Sequence, residues 1–412
     1  MNILQIGELY RYGGASEIME LLDRGIKEAG EKVITVYGYN HSRLPVENNE
    51  FVIFNNRLIN KIHRYFRPFI ECFQLPSFYA RFFIKRIIRK YNIDIIHFHA
   101  MQNTFLSICD IGYLAKKYKV VWTIHDTWPF TGGCMYFRDC KNWKNNQCKN
   151  CFEDKDLIFA RRKNTFNNFI QKKKSFLDKD IHFVCPSKWM EENLEFSFLH
   201  NEDSMIIYNG IDNGTFKFLN KKNELKKKYG LENRVLMFSA GSIKNPYKGW
   251  RYIEEALLKL KEKEKYTVLL VGNNSEVVNT FSINFLSFGF VKDKILLNEL
   301  YNTADVFIIP STQDNFPTVV LESMMAGTPV IAFKTGGIPE EIGHNEGGIT
   351  INETSSKSLA ESIESFFSEE HRANQIEQCQ KVSNRCKKLF SYQIMTKKYL
   401  ELYHKILDGE KK

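Results

Sequence analysis

Residues 310–332 read PSTQDNFPTVVLESMMAGTPVIA, and this stretch decides the fold. A β-branched apolar run, ADVFII, precedes it, and a polar loop then leads to Pro317. Proline in the first turn and Gly327 just past the last predict a helix between them. A second apolar strand, PVIAF, begins at Pro329. Strand, loop, helix and strand in this order predict one crossover unit of a parallel sheet.

The start of that helix is suited to an anionic ligand, because unpaired N–H groups and a partial positive charge lie there. Two carboxylates flank it, Asp314 in the loop and Glu322 on the helix. A carboxylate beside an anion site meets hydroxyl groups rather than phosphates. Phosphate together with hydroxyls indicates a nucleotide sugar. The alternative is an ordinary strand–helix–strand unit that carries surface acids by chance.

The same alternation of strands and helices fills the rest of the chain. The predicted strands are NILQI, VITVYG, DIIHFH, VVWTIH and IHFVCPS, then RVLMFSAG, TVLLVG, LSFGFV, DVFIIPS and PVIAF. Such alternation predicts an α/β fold with parallel sheets and helices on both faces. An Asn- and Gly-rich segment at 206–216 marks a boundary. We therefore expect one domain over residues 1–205, a second over 206–389, and a C-terminal helix over about 390–412.

Composition limits the class of protein. A chain of 412 residues can form two domains with cores of their own, and 43% apolar with 26% charged residues is typical of a soluble globular protein. We find no signal peptide and no run of 18 apolar residues, so we expect a chain that is neither secreted nor membrane-spanning. Nine cysteines are too few for a disulfide scaffold, which favours the cytosol.

Several ordered motifs make the chain resemble the retaining glycosyltransferases of family 4, the group 1 glycosyltransferases, which have the GT-B fold. Residues 310–332 resemble the family signature, with Asp-x7-Glu in place of the usual Glu-x7-Glu. Further matches are IIYNGIDNGTF at 206–216, AGSIKNPYKGW at 240–250 and TGGIPEEI at 335–342. The resemblance covers nearly the whole chain. It implies two Rossmann-like domains with parallel sheets that face each other across a cleft, the first binding the acceptor and the second the donor nucleotide. It also implies that the C-terminal helix packs back on the first domain.

The resemblance implies donor-binding roles for residues of the second half. Glu322 is expected to accept hydrogen bonds from both ribose hydroxyls, and Asp314 to contact the transferred sugar with the backbone of Asn315 and Phe316. A nucleotide diphosphate also needs a cation, since a buried unpaired charge is costly. Lys248 is the candidate, because its flexible ammonium can follow charge onto the leaving group.

Weaker candidates complete the donor site. Gly13 and Gly14 lie between a strand and a helix, where glycine lets backbone N–H groups approach a phosphate. Ser242 occupies the position after the glycine of the Lys248 loop, where many family members carry Arg, and Phe290 is expected to border the base. The alternatives are a tight turn at the two glycines and plain core packing for Phe290.

His125 follows the strand VVWTI, at a strand end where open α/β sheets bind ligands. By family position it hydrogen-bonds the donor sugar; the alternative is a structural histidine. His97 and His99 end another strand, and we expect one in the core and one at the rim of the cleft. The resemblance also implies that no metal is required for catalysis and that the leaving phosphate deprotonates the acceptor.

Four cysteines, Cys134, Cys140, Cys148 and Cys151, fall within 18 residues with the spacing C-x5-C-x7-C-x2-C. The final C-x2-C suits a tetrahedral thiolate site, so a structural zinc is one interpretation. Reduced packed thiols or a disulfide pair are the others. A subset of sugar transferases carries a similar cysteine-rich insert, which favours a structural role.

Residues 57–91 hold nine Lys and Arg against one Glu, interleaved with Phe, Tyr and Ile. This pattern predicts an arm that lies on a membrane surface, with Phe66, Phe69, Phe82 and Phe83 inserted. The alternative is an ordinary helix pair with its apolar face in the core. Basic charge is concentrated in the same half, which carries a net +9 over residues 1–200 (30 Lys+Arg, 21 Asp+Glu) against +1 (28 against 27) for the rest.

Together these features predict a retaining, hexosyltransferase-type glycosyltransferase. It would move a sugar from a UDP- or GDP-sugar to a polysaccharide or lipid-linked saccharide, in the cytoplasm at the inner membrane face, during cell-surface polysaccharide biosynthesis. One rival is a nucleic-acid-binding protein, suggested by the net charge of +10. The sequence shows no known nucleic-acid-binding module, and we expect no nucleic acid as a partner. A second rival is a nucleotide-sugar epimerase on the same scaffold.

Overall fold

The computed structural model describes residues 1–41, 44–73, 75–102, 104–151, 164–273, 283–344, 346–368 and 375–409. The chain divides into two compact units. Unit 1 is Met1–Tyr208 with Met395–Lys412, and unit 2 is Asn209–Ile394. The sequence placed the two boundaries after residues 205 and 389.

Unit 1 is built around a parallel sheet of seven strands. They are β1 (Asn2–Leu9), β2 (Lys32–Tyr39), β3 (Glu50–Val52), β4 (Ile95–His99), β5 (Lys119–Thr123), β6 (Ile181–Cys185) and β7 (Ser204–Ile206). The spatial order is β3-β2-β1-β4-β5-β6-β7. The order reverses direction between β1 and β4, so the loops after these neighbouring strands open at a topological switch point.

The helices of unit 1 include two between β3 and β4 that carry the basic segment. Those described are α1 (Gly14–Glu28), α2 (Arg57–Phe73), α3 (Phe78–Tyr91), α4 (Ile108–Ala115), α5 (Asn142–Asn145), α6 (Thr165–Phe176) and α7 (Lys188–Glu195). The short runs IIHFH and KVVWT form central strands because helices cover both faces, and Trp122 of β5 is fully buried.

Unit 2 is built around a second parallel sheet, of six strands in the order β10-β9-β8-β11-β12-β13. They are β8 (Arg234–Ser242), β9 (Tyr266–Asn273), β10 (Asn284–Ser287), β11 (Val306–Ile309), β12 (Val330–Phe333) and β13 (Gly348–Ile351). The order reverses between β8 and β11, which makes this edge the switch point of unit 2. The predicted strand LSFGFV is partly wrong, because β10 ends at Ser287.

The helices described in unit 2 are α8 (Lys222–Lys228), α9 (Trp250–Lys259), α10 (Lys294–Thr303), α11 (Thr318–Met325), α12 (Ile338–Ile342), α13 (Ser356–Phe366) and α14 (Gln375–Phe390). The predicted crossover unit of residues 310–332 is confirmed as β11, α11 and β12. Pro317 caps α11, and Gly327 has φ +81°, the left-handed conformation that ends many helices.

The C-terminal helix α15 (Tyr392–Asp408) contributes to unit 1 from Met395 onward. Two buried tyrosines attach it to the sheet: Tyr403 Oη lies 2.7 Å from His97 Nδ1, and Tyr399 Oη lies 2.7 Å from Thr123 Oγ1. Lys119 Nζ donates a 2.6 Å hydrogen bond to the Ile406 carbonyl near the helix end. The buried face of α15 therefore forms part of the core of unit 1.

Candidate functional site

The loop after β8 holds Lys248 at the switch point of unit 2. Residues Pro246–Lys248 form one turn of 3₁₀ helix, which Asn245 caps by accepting a 3.0 Å hydrogen bond from the Tyr247 amide. Gly249 follows with φ +76°, and a Cβ there would lie 1.9 Å from the Pro310 carbonyl oxygen. Glycine is therefore required where this loop approaches the end of β11, and the approach places Lys248 beside the loop that follows that strand.

Lys248 and Asp314 form a direct ion pair. Lys248 Nζ lies 2.8 Å from Asp314 Oδ2 and 3.1 Å from Oδ1. The lysine side chain is 26% exposed and the carboxylate 9%, so solvent screens the pair only in part. A Cβ at Gly336 would lie 1.7 Å from the Asp314 carbonyl oxygen, and the Gly337 amide donates to Asn315 O at 2.7 Å. The TGGIP segment thus supports the Asp314 loop from behind.

Glu322 lies on the second turn of α11, where it is 6% exposed. Its Oε2 accepts a 2.9 Å hydrogen bond from the Tyr301 hydroxyl. The loop before the helix is held by Asn209, whose side-chain amide donates to the Phe316 carbonyl at 3.1 Å. The Phe316 ring is buried against Phe390, with ring centroids 5.7 Å apart. Only the backbone of Phe316 is therefore a candidate for contact with a ligand.

Sequence reasoning missed Glu341, which is fully buried on α12. Neither of its carboxyl oxygens has a hydrogen-bond partner among the described residues. Burial, followed by the charges of Asp314 and Glu340, raises the pKa of Glu341 well above its usual range, which favours the neutral carboxyl group. The segment TGGIPEEI was singled out, but no pattern distinguished its second glutamate from a surface acid.

The two weaker candidates of unit 2 differ in exposure. Ser242 is the half-buried last residue of β8, in register with Asn273 of β9. Phe290 is 53% exposed, so the core-packing alternative for this ring is wrong. The backbone beside it is held by a 2.7 Å hydrogen bond from the Gly272 amide to the Gly289 carbonyl.

At the switch point of unit 1, the turn between β1 and α1 contains the two predicted glycines. Gly13 has φ +85°, and a Cβ built there meets no atom within 4 Å. Gly14 is the first residue of α1, and both glycines are exposed. Glycine is favoured at position 13 by its positive φ and not by steric crowding. The space beside its Cα is open.

Three histidines lie together where β4 and β5 end. His99 Nδ1 lies 3.1 Å from His125 Nε2, and the two rings stack with centroids 5.3 Å apart. Burial lowers the pKa of His125 to about 4 and those of His97 and His99 well below their usual range, so all three imidazoles are neutral near pH 7. The expectation that one of His97 and His99 lies at the rim of a cleft is wrong, because both side chains are fully buried.

Next to His125, Asp126 is held by two donors, the Gln102 side-chain amide at 2.6 Å and the Trp128 amide at 2.8 Å. Burial raises the pKa of Asp126 to about 6. Below the Trp128 turn lies a fully buried Lys172, which donates to the carbonyls of Trp128 and Thr131 and lies 3.5 Å from the Trp128 ring centre. Burial lowers its pKa to about 7. Nothing in the run KKK predicted a buried lysine.

The cysteine loop follows this turn, with Cys134 and Cys148 buried and Cys140 and Cys151 half-buried, and all four thiols are reduced. The disulfide alternative is therefore wrong for these thiols. Cys148 Sγ accepts a 3.1 Å hydrogen bond from the Gly132 amide, and burial raises the pKa of Cys134 to about 12 and that of Cys148 to about 11. Within the described ranges, no group of three or more His, Cys, Asp or Glu side chains is arranged to hold a metal ion. Zinc at this loop stays a prediction.

The predicted site residues thus fall into two groups. Lys248, Asp314, Asn315, Phe316 and Glu322 lie on two adjacent loops and one helix at the switch point of unit 2. Ser242 ends β8 in the same unit, and Phe290 lies in the loop after β10. Gly13, Gly14 and His125 lie at the corresponding strand ends of unit 1.

Two family models match the chain and together span most of it. The model described as Glycosyltransferase Family 4 matches residues 12–214, and that described as Glycosyl transferases group 1 matches residues 221–385. The chain belongs to this glycosyltransferase family. The predicted resemblance is confirmed, and the match does not favour the epimerase or the nucleic-acid-binding alternative.

Similar proteins of this family come from several bacteria. A candidate colanic acid biosynthesis glycosyl transferase of Escherichia coli K12, WcaC, is 23% identical over 397 residues, which is 86% of this chain and 88% of that protein. A second relative, from Campylobacter jejuni, is 25% identical over 166 residues, 39% of this chain and 42% of that protein. It is named N,N'-diacetylbacillosaminyl-diphospho-undecaprenol alpha-1,3-N-acetylgalactosaminyltransferase.

Solved structures establish the fold. Sucrose-phosphate synthase from Thermosynechococcus elongatus superposes with a TM-score of 0.73 at 16% identity, covering 99% of this chain and 100% of that chain. Anabaena HepE, solved in complex with UDP-glucose, superposes with a TM-score of 0.64 at 16% identity over 98% of this chain and 99% of that chain. This glycosyltransferase therefore has the predicted fold class, GT-B, with two parallel-sheet α/β domains.

Proposed function

We propose that this glycosyltransferase is a retaining enzyme that moves a sugar from a UDP- or GDP-sugar to a polysaccharide or lipid-linked saccharide in cell-surface polysaccharide biosynthesis. The observation that carries the proposal is the Lys248–Asp314 ion pair at the switch point of unit 2, beside the helix that bears Glu322. Relatives named for colanic acid and for an undecaprenol-linked acceptor support the substrate class.

Donor binding is proposed to begin at the helix α11. Glu322 offers two acceptor oxygens to the two vicinal ribose hydroxyls, and the Tyr301 hydroxyl at 2.9 Å holds its carboxylate in place. The exposed Phe290 ring is proposed to border the base. Ser242 and the N-terminal end of α11 are proposed to meet the phosphates and sugar, with the backbone of Asn315 and Phe316.

Bond breaking is proposed to depend on Lys248. The bond from the sugar's anomeric carbon to the phosphate oxygen breaks, and the electron pair leaves with the diphosphate. Lys248 compensates that growing negative charge, and Asp314, its present partner, then contacts hydroxyls of the sugar. The acceptor hydroxyl attacks from the same face and passes its proton to the leaving phosphate oxygen, so the anomeric configuration is kept and no side-chain base is needed.

In unit 1, a neutral His125 is proposed to hydrogen-bond the transferred sugar. Its imidazole can donate or accept, whereas an imidazolium would repel the positive charge that develops on the sugar ring. The 3.1 Å contact with His99 orients the ring. Gly13 and Gly14 are proposed to offer open backbone to the donor.

No metal is proposed for catalysis, and a zinc ion bound by the four cysteines is proposed as a structural element. The enzyme is proposed to act at the cytoplasmic face of the inner membrane. Among the described residues, no helix is sufficiently long and apolar to span a bilayer.

The test is a thermal-shift screen of UDP- and GDP-sugars followed by a donor-hydrolysis assay. A donor that binds only the folded chain raises the melting temperature. Slow release of free sugar and nucleoside diphosphate supports transfer, and NMR of the first-formed sugar should show the donor's own anomeric configuration. Interconversion of sugar nucleotides would instead indicate an epimerase, and an inverted anomer would overturn the retaining mechanism.

A further inference from the structure

The helices α2 and α3 expose a large apolar surface that the core of unit 1 does not use. On α2 the exposed side chains are Leu58, Ile62, Tyr65, Phe66 and Phe69, with exposed fractions from 50% to 80%. Their spacing of four, three, one and three residues places them on one face of the helix. A soluble surface seldom carries so many large apolar side chains side by side.

The helix α3 also exposes large apolar side chains. Phe78, Tyr79 and Phe82 are 73%, 44% and 66% exposed, and Leu75 just before the helix is 39% exposed. The last turns of the same helix carry the exposed cations Arg86, Arg89 and Lys90. We call these exposed residues of α2 and α3, apolar and basic together, the α2–α3 surface.

The opposite faces of both helices anchor them to unit 1. On α2, the His63 ring stacks on Phe54 with centroids 4.0 Å apart, and Tyr39 Oη lies 3.2 Å from His63 Nδ1. On α3, Ile84 and Ile88 are buried in the core. The core-packing alternative therefore holds for these inner faces and is wrong for the outer ones.

Two residues predicted to meet a membrane have structural roles instead. Phe83 is half-buried and packs against the core of unit 1, so its predicted insertion is wrong. Arg81 donates a 2.6 Å charged hydrogen bond to the fully buried Asp110, and its guanidinium stacks 4.5 Å from the Tyr113 ring centre. Neither residue belongs to the α2–α3 surface.

The charge beside the apolar face is of one sign. Arg57, Lys61 and Arg64 form an exposed row on α2, and Arg86 and Arg89 are exposed on α3. Within the described part of the chain, none of these five forms an ion pair. Basic side chains flanking exposed aromatics match a surface of lipid phosphates above acyl chains, and they would repel a second copy of the same surface.

We propose that the α2–α3 surface docks this chain on an anionic lipid bilayer, with the aromatic side chains inserted among the headgroups and the basic rows bound to lipid phosphates. The inference deepens the proposed function and rests on it for the lipid-linked acceptor. Docking would hold unit 1 at the face of the bilayer where such an acceptor is anchored.

The experiment is co-sedimentation with vesicles of mixed phosphatidylcholine and phosphatidylglycerol, compared with pure phosphatidylcholine. The basic variant changes Arg57, Lys61, Arg64 and Arg86 to Gln. Each basic residue near an anionic surface contributes about 1 kcal/mol, so its partition coefficient should fall roughly a thousandfold. The apolar variant, Phe66→Ser with Phe82→Ser, should weaken binding to the same vesicles. Wild-type binding should also fade as salt is raised.

Matched controls remove equal charge and apolar area elsewhere. The charge control changes Lys173, Lys174, Lys227 and Lys259 to Gln, all four being exposed on α6, α8 and α9. The apolar control is Leu258→Ser with Ile295→Ser, two side chains that are 52% and 70% exposed. Both controls should bind vesicles as the wild type does. Equal binding by the basic variant and its control, or no preference for anionic lipid, would overturn the proposal.

Lipid-free sedimentation velocity tests the rival occupant, a second copy of the chain. Self-association of the wild type that the apolar variant abolishes would overturn bilayer docking in favour of a dimer. Donor hydrolysis is measured without lipid for every variant and should be unchanged. If the wild type binds vesicles but hydrolyses no nucleotide sugar, the proposed function fails and the docking surface stands. If it hydrolyses a nucleotide sugar but does not bind anionic vesicles, the docking proposal fails and the proposed function stands.

Discussion

At the scale of single residues, the ion pair between Lys248 and Asp314 is the central contact of the proposed donor site in unit 2. The lysine is the cation proposed for the diphosphate, and the aspartate is the carboxylate proposed for the sugar. Each charge is neutralised by the other in the structure, which limits the cost of holding two partly buried charges at one site.

Lys248→Ala should lower turnover far more than it lowers the melting temperature. Loss of one preorganised charge that acts on a leaving group typically costs about 2.7–4 kcal/mol of barrier, or roughly a hundredfold to a thousandfold in kcat. The measurement is donor turnover beside thermal unfolding. Arg251→Ala is the matched control, because this exposed cation on α9 bonds its neighbour Tyr252. A Lys248→Ala enzyme with wild-type turnover would show that the leaving group is stabilised elsewhere.

Glu322→Gln should leave the fold intact, because the two side chains are nearly isosteric. It weakens two charge-assisted hydrogen bonds to ribose, worth about 1.5–3 kcal/mol each, so nucleotide affinity should fall at least tenfold. Calorimetric titration with the free nucleoside diphosphate measures this loss. Tyr301→Phe removes the 2.9 Å hydrogen bond to the carboxylate and should have a smaller effect. Unchanged affinity in Glu322→Gln would remove this residue from the ribose.

At the scale of elements, α3 has two faces that the basic composition of the sequence did not separate. Among the described residues, Arg81 is the only one of opposite charge that pairs with the fully buried Asp110. The Asp110 carboxylate also accepts hydrogen bonds from the backbone amides of Ser77 and Ser107, and the second of these caps α4. Arg86, one turn further on, points to solvent.

Arg81→Gln should therefore destabilise unit 1 by about 3–5 kcal/mol, because it leaves a buried carboxylate without its cation. Arg86→Gln on the same helix should cost less than about 0.5 kcal/mol, as exposed substitutions usually do. Urea unfolding of both variants measures the difference. Equal stability of the two would mean that Asp110 finds another partner or is protonated.

The four-cysteine loop carries a prediction that metal analysis decides. If four thiolates hold a structural zinc, metal analysis should find about one zinc ion per chain, and the four thiols should be protected from thiol reagents in the folded state. Cys379 and Cys386, which are buried in unit 2, serve as internal controls for slow reaction caused by burial alone. Absence of zinc, with Cys140 and Cys151 reacting quickly, would leave packed reduced thiols as the interpretation.

At the scale of the whole molecule, neutral buried imidazoles make stability depend on pH. The folded pKa values of His97, His99 and His125 lie below the ordinary value of 6.5, with His125 at about 4. Between these values the unfolded chain binds more protons than the folded one, so stability falls as pH drops through that window. Asp126 opposes this in part, because its folded pKa is raised to about 6 and folded protein binds its proton first.

The urea midpoint should therefore decline from about pH 7 to about pH 4.5, because three imidazoles with lowered pKa values outnumber the two buried carboxyls with raised pKa values, Asp126 and Glu341. In His97→Gln the amide can still meet Tyr403 and Thr123, which lie 2.7 and 2.8 Å from the ring nitrogens. That variant should lose about a third of the histidine-dependent slope. An unchanged slope would show that His97 binds its proton equally in the folded and unfolded chain.

The sequence by itself determined the order of strands and helices and the class of fold, and it predicted the segments that are proposed to form the donor site. Periodicity, proline and glycine punctuation and the motif at 310–332 are local properties, so they can be read without coordinates. The crossover unit is confirmed, whereas Asp314, Lys248 and Glu322 stay predictions for the donor site.

Only the tertiary structure decided which groups are buried and what each one faces. No pattern in the sequence marked Glu341 or Lys172 as buried, Phe290 could be either core or surface, and Phe83 and Arg81 belong to the segment predicted to be a membrane arm. Burial and pairing arise when distant segments meet: TGGIP against the Asp314 loop, α4 against α3, and α6 beneath the Trp128 turn. The free energy of a charge depends on those neighbours, and no window of adjacent residues contains them.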